Sequence, residues 1–146
     1  MQISMFSSKG NVIVIGDFNA RTSDKDDFIT NDVIQNDILR EVSEILTYET
    51  DTVLPTRVNP DKTGNEYGRK LLSLCKSSGL RILNGRHNHG LDRNYTFMGP
   101  RGLSVVDYCI STPNVFHLIE KFIISNFTTF SDHAPLHLQF KTKTSE

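Results

Sequence analysis

Apolar runs and polar, turn-rich stretches alternate along this chain, and the runs have two different periods. Residues 11–15 (NVIVI), ended by Gly16, form a β-branched run, apolar from Val12 on, which predicts a strand covered on both faces. Residues 17–30 are polar and acidic, a loop. Ile34, Ile38, Val42 and Ile45 then recur at spacings of four, four and three, the period of an amphipathic helix. Residues 51–65 hold two prolines, Gly64 and many polar groups, a long loop. A second helix is predicted over 66–78. Leu71, Leu72 and Cys75 share one of its faces, Arg69 and Lys70 lie on the other, and Gly79 is placed to end it.

Shorter elements follow. Residues 80–83 read as a strand, and residues 94–98 and 103–110 as strands around the turn Gly99-Pro100-Arg101-Gly102. Thr112-Pro113 starts a short helix reaching about Ile119, with proline at its first position. Residues 122–125 and 136–140 complete the strands, and 141–146 form a frayed tail. Strands outnumber helices, so the class is α/β with a mostly antiparallel sheet.

At 146 residues the chain has the length of one domain. With 37% hydrophobic residues and nine Phe it can bury a core, which argues against disorder. The net charge is −1, whereas a protein holding nucleic acid by bulk charge is far more basic; only a local basic rim is compatible with such a partner. Arg21, Arg86, Arg93 and Arg101 are the candidates, each in a loop near a predicted strand end. Cys75 and Cys109 sit in apolar stretches with neither a C-x-x-C nor a zinc spacing, and read as two reduced thiols of an intracellular protein. No apolar run approaches the roughly 20 residues that span a bilayer, so no membrane partner is expected.

Three polar clusters fall where strands end. In Gly16-Asp17-Phe18-Asn19 the acid and the amide are two residues apart, so both can project from one side of an extended backbone. Such a pair suits a phosphate site, one group orienting a nucleophile or metal and the other donating to an oxygen; Asp-x-Asn after a strand is also an ordinary turn. In Ser104-Val105-Val106-Asp107-Tyr108 a carboxylate lies in a run that should be buried, and a buried Asp needs a cation or strong donor. In Ser131-Asp132-His133 an acid and a base are adjacent near a strand start. A histidine working on a phosphodiester needs a carboxylate on its other ring nitrogen, and Asp107 is the natural candidate.

Taken in order, GDFNAR, Thr96-Phe97, SVVDY and SDHAPL resemble the C-terminal motifs of the endonuclease/exonuclease/phosphatase family, which includes apurinic endonucleases and pancreatic deoxyribonuclease. The connecting text is similar to retrotransposon endonucleases: Arg57 in the long loop, Asn65 and Gly68 ahead of Leu71-Leu72, then LRILNGR at 80–86. The resemblance runs from about Gly10 to Phe140. It implies a four-layered α/β sandwich and a metal-dependent DNA endonuclease that hydrolyses a phosphodiester with an activated water. Asp17 would orient or activate that water and Asn19 would hydrogen-bond the scissile phosphate. Asp107 would buttress His133, which would contact the phosphate and stabilise its developing charge or transfer a proton. Asp132 would lie at the metal, directly or through water. Mg²⁺ is the expected ion, with Mn²⁺ as the alternative. Thr96 would face substrate, alongside Arg21 and Arg101, with Phe97 packing. DNA is the implied partner, a reverse transcriptase domain the implied companion, and the nucleus the implied site of action.

The family's N-terminal half supplies an Asn, the principal metal-binding Glu and a Tyr or His near the phosphate, and none of these motifs precedes GDFN here. The chain therefore reads as the C-terminal half of that domain, expected to show little or no hydrolysis by itself. Two other functions compete: a phosphatase or phospholipid phosphodiesterase of the same superfamily, and a catalytically silent binding or structural domain. For the endonuclease reading, Asp17, Asp107, Asp132 and His133 must meet at one rim of a sheet, with His133 and Asp107 within hydrogen-bond reach, about 2.6–3.2 Å.

Overall fold

A computed structural model describes residues 9–29, 54–87 and 90–142. The helix expected around 34–45 lies outside them, as does most of the expected tail. The described elements are β1 (Ile13–Asp17), α1 (Glu66–Ser78), β2 (Arg81–Ile82), β3 (Phe97–Gly99), β4 (Gly102–Ser104), β5 (Asp107–Ser111), a 3₁₀ turn over Pro113–Leu118, β6 (Ile119–Ile124) and β7 (Leu136–Phe140). They form a three-stranded sheet in the order β1-β5-β2 and the hairpins β3-β4 and β6-β7, all antiparallel. The mixed helix and antiparallel-sheet class agrees with the sequence.

β5 is the centre. All five of its residues are buried, and alternate side chains of a strand enter opposite faces. Tyr108 and Ile110 join Leu71, Leu72 and Cys75 of α1, with Leu80, Ile82 and Val105; Cys109 joins Leu83, Val115, Ile119, Phe122 and Ile124 on the other side. Two cores thus share one strand. Among the described residues β1 has a strand partner only in β5, and Ile15 remains 46% exposed, so the cover expected on both faces of 11–15 belongs to β5 instead.

The apolar run 103–110 is not one strand. Its backbone leaves the β4 ladder at Val105 and Val106, whose N–H groups donate to Asp61 Oδ2 (3.1 Å) and Thr96 Oγ1 (2.9 Å). Side chains remote in sequence satisfy these donors, which frees the chain to change sheets. α1 matches expectation. Asn65 caps it by accepting from Gly68 N–H at 2.7 Å, and Gly79, at φ 74°, ends it with its N–H on the Cys75 carbonyl. The helix expected after Thr112 is a 3₁₀ turn, closed by Val115 N–H onto the Thr112 carbonyl, and the Thr112 side chain does not cap it.

Between β6 and β7 the chain runs beside β3. Met98 N–H donates to the Asp132 carbonyl at 2.9 Å and Ala134 N–H to the Thr96 carbonyl at 2.8 Å, with Phe97 opposite His133. These bonds carry His133 to the end of the central sheet. Among the described residues no helix is long and apolar enough to cross a membrane.

Candidate functional site

In the β1–β5 register Asp17 stands directly opposite Asp107. Residues paired in this way share a face of the sheet, and like charges there repel. The pair needs a cation. His133 supplies one when protonated, with Nδ1 2.9 Å from Asp107 Oδ2 and 3.1 Å from Oδ1. The hydrogen bond to Asp107 raises the His133 pKa above its ordinary value, and the charges of Asp107, Asp17 and Asp132 add to this against a smaller cost of burial. One ligand atom from each of Asp17, Asp107 and His133 lies within 4.8 Å of the others, an arrangement that can hold a metal ion.

Each member is held by its neighbours. Asn19 takes a left-handed backbone (φ 50°) that brings its N–H to Asp17 Oδ1 at 2.8 Å, orienting that carboxylate. The Asp107 N–H donates to Thr96 Oγ1 at 3.0 Å, and its carbonyl accepts from Asn84 Nδ2 at 3.0 Å. The Phe97 ring lies against the His133 imidazole, centroids 4.9 Å apart. The loop after Asp17 is tied to α1 through Asn65: its Nδ2 donates to the Asn19 carbonyl at 3.1 Å, and its Oδ1 accepts from Arg21 N–H at 2.9 Å. A Cβ on Gly68 would come within 1.9 Å of the Arg21 carbonyl, so only glycine lets the helix approach this closely.

A cleft of about 530 Å³ opens beside the cluster, lined by Asn19, Arg21, Asn65, Phe97, Arg101 and His133 among others. Of the residues singled out from the sequence, Asp17, Asp107 and His133 converge, and Asn19, Arg21 and Arg101 line this cleft. Asp132 is exposed and adds its charge to His133, but stands outside the group whose ligand atoms gather within 4.8 Å. Thr96 does not face a substrate: it is fully buried, and its hydroxyl oxygen accepts from the Val106 and Asp107 N–H groups. Arg86 is no part of a basic rim either, being buried on Asp27. Arg93 is exposed but does not line the cleft. Arg21 is held by two 2.7 Å hydrogen bonds to Asp61. Asp61, Asn84 and the tying role of Asn65 were missed by the sequence reading; of these only Asn65 had a local signal, its place just before a helix. Phe130, 96% exposed three residues before His133, was also missed.

No protein-family model matches the chain, and no curated protein matches it.

Proposed function

We propose that the protein is a metal-dependent phosphodiesterase of the DNA endonuclease type, and that its described elements form part of a four-layered α/β sandwich of the endonuclease/exonuclease/phosphatase family. One observation carries the reading. Three clusters far apart in sequence meet so that two facing carboxylates and a carboxylate-bound histidine share one sheet edge. A structural ion pair has no use for the second carboxylate, whereas a cation site does.

Two carboxylates with oxygens within 4.8 Å of each other suit a hard cation that keeps most of its water, so Asp17 and Asp107 are the residues that would hold Mg²⁺. When bound, that ion neutralises charge on phosphate oxygens. The chain's own groups do the rest. Asp17 orients the attacking water and takes its proton as the water oxygen bonds to phosphorus and the ester P–O bond breaks, the leaving ester oxygen taking up a proton from solvent. With Nδ1 engaged by Asp107, His133 offers Nε2 to a non-bridging phosphate oxygen, and the neighbouring carboxylates raise its pKa, which favours the charged ring for that contact. Asn19 lines the adjoining cleft, where its amide can donate to the same phosphate.

The test is nicking of supercoiled DNA by the protein expressed in its full reading frame. Nicking should require Mg²⁺ or Mn²⁺ and fall by about 10²–10⁴-fold in Asp17→Ala and in His133→Ala. Nicking that survives both substitutions, or none at all, ends the proposal.

A further inference from the structure

Arg21 and Asn65 line two hollows, not one. On one side is the cleft beside the carboxylate–histidine cluster; on the other is a hollow of about 230 Å³ whose wall carries Lys25, Lys62 and Arg69. Four cationic side chains and no carboxylate line this second hollow. In a chain with a net charge of −1 that is a local concentration of positive charge.

The state of each cation decides what the hollow can take. Arg21 is neutralised by Asp61. Lys62 lies 3.1 Å from Asp24, with both side chains more than half exposed (66% and 55%), a pair weak enough to exchange for another anion. Lys25 and Arg69 are exposed and have no ion-pair partner among the described residues. Beyond Lys25 and Arg69 the surface continues into a wider depression where charge is mixed, Lys76 standing with Asp24 and Asp26, so the stretch lined by cations alone ends there.

We propose that this hollow seats a backbone phosphate of the same nucleic-acid strand whose scissile phosphate lies at the cluster, so that the strand crosses Arg21 and ends its positive track at Lys25, Lys62 and Arg69. The inference rests on the phosphodiesterase reading and adds where the strand runs. A polymer fits better than a lone phosphate for two reasons. The hollow joins the cleft through shared walls, and its cations stand on exposed stems that neutralise a passing charge without enclosing a small ion.

The experiment measures binding of a duplex oligonucleotide in the presence of a chelator, by fluorescence anisotropy between about 50 and 200 mM salt. Each phosphate neutralised contributes roughly 0.9 to the slope of log affinity against log salt. The double variant Lys25→Gln/Arg69→Gln, which empties the seat of that one phosphate, should therefore lower the slope by about one unit and shrink the loss of affinity over this range about three- to fourfold. Lys121→Gln/Lys141→Gln removes the same charge from exposed residues that line neither hollow, and should leave the slope unchanged. Hydrolysis of a small diester such as bis(p-nitrophenyl) phosphate, which reaches only the cluster, should not change in the Lys25/Arg69 variant. An unchanged slope, an equal fall in the control pair, or a parallel loss of small-diester hydrolysis overturns the proposal. A wild-type protein that cleaves no diester but shows the slope change keeps the track and loses the reading of the cluster.

Discussion

Two acid–base pairs of this protein use similar groups to opposite ends. Asp27 and Arg86 meet through hydrogen bonds of 2.9 and 2.8 Å with side chains 0% and 2% exposed. Asp27 also accepts from Ile82 N–H at 2.7 Å, and Arg86 donates to the Pro55 and Ile82 carbonyls. Asp107 and His133 are just as close, at 2.9 Å, but 10% and 34% exposed, with the Asp17 carboxylate alongside. The first network is closed: its acceptors and donors are matched and no ligand can enter. The second sets an exposed second carboxylate, Asp17, beside a partly exposed histidine. Burial pushes the Asp27 carboxyl upward, but the Arg86 hydrogen bonds and charge outweigh it and hold the group below its ordinary value. A matched buried pair holds a fold together; an unmatched exposed cluster is where chemistry can happen.

Removing one member from each pair should separate these roles most sharply. Arg86→Ala leaves Asp27 buried without its counter-charge and should cost about 3–5 kcal/mol in denaturant unfolding. His133→Ala should cost only about 0–1 kcal/mol, because its pair is partly exposed, while eliminating the proposed hydrolysis. Equal losses of stability would erase the distinction between closed and open networks.

Gly68→Ala comes next. Its new methyl group meets the Arg21 carbonyl, part of the backbone that follows Asn19, so helix or loop must shift, at about 1–3 kcal/mol. Gly64→Ala, whose Cβ would lie 3.7 Å from the same carbonyl, should stay within about ±0.5 kcal/mol. A smaller step is Asn65→Ala, which removes the helix cap and the tie to Asn19 and should cost about 1 kcal/mol. Asn65→Asp keeps the accepting oxygen for Gly68 and Arg21 and loses only the donor to Asn19. If the tie to Asn19 positions the site, Asn65→Asp should recover stability without recovering nicking; recovery of both would reduce Asn65 to a cap.

The difference between the two networks also explains what could be read from the chain. α1 was legible because its period and its Gly79 end are local signals. The run 103–110 looked like one strand because nothing within it announces a break; the break comes from Asp61 and Thr96, 44 and 10 residues from their partners. Arg86 looked like a surface arginine for the same reason, since Asp27 is 59 residues away. Thr96 was expected at the substrate only through the family resemblance, and nothing in the local sequence shows that its hydroxyl turns inward to the Val106 and Asp107 N–H groups. Asp17, Asp107 and His133 could be picked out because a polar group at a strand end is itself conspicuous, and their pairing followed from the chemistry a histidine needs. Open sites leave local signals. Closed networks, built from distant partners, do not.

The finest distinction is in pH, measured in chelator so that no metal competes. His133 has its pKa raised in the folded protein above the ordinary 6.5, chiefly by the Asp107 hydrogen bond. Its contribution to stability is therefore fully present below about pH 6.5 and is lost as pH rises through the higher folded value. Asp27 is shifted the other way, below the ordinary 3.8, so its contribution is present above that value and lost only as pH falls through the lower folded one. The stability difference between wild type and His133→Ala should thus be largest in mild acid and fade toward alkaline pH. The difference between wild type and Asp27→Asn should be flat through neutrality and fade only in strong acid. The His133 ring resonances, followed by NMR, give the direct reading: a midpoint above that of a free histidine in wild type, moving back toward it in Asp107→Asn. A His133 midpoint at or below the ordinary value would mean that the two facing carboxylates do not act on the ring, and that the cluster is not the concentrated negative site from which the proposed chemistry follows.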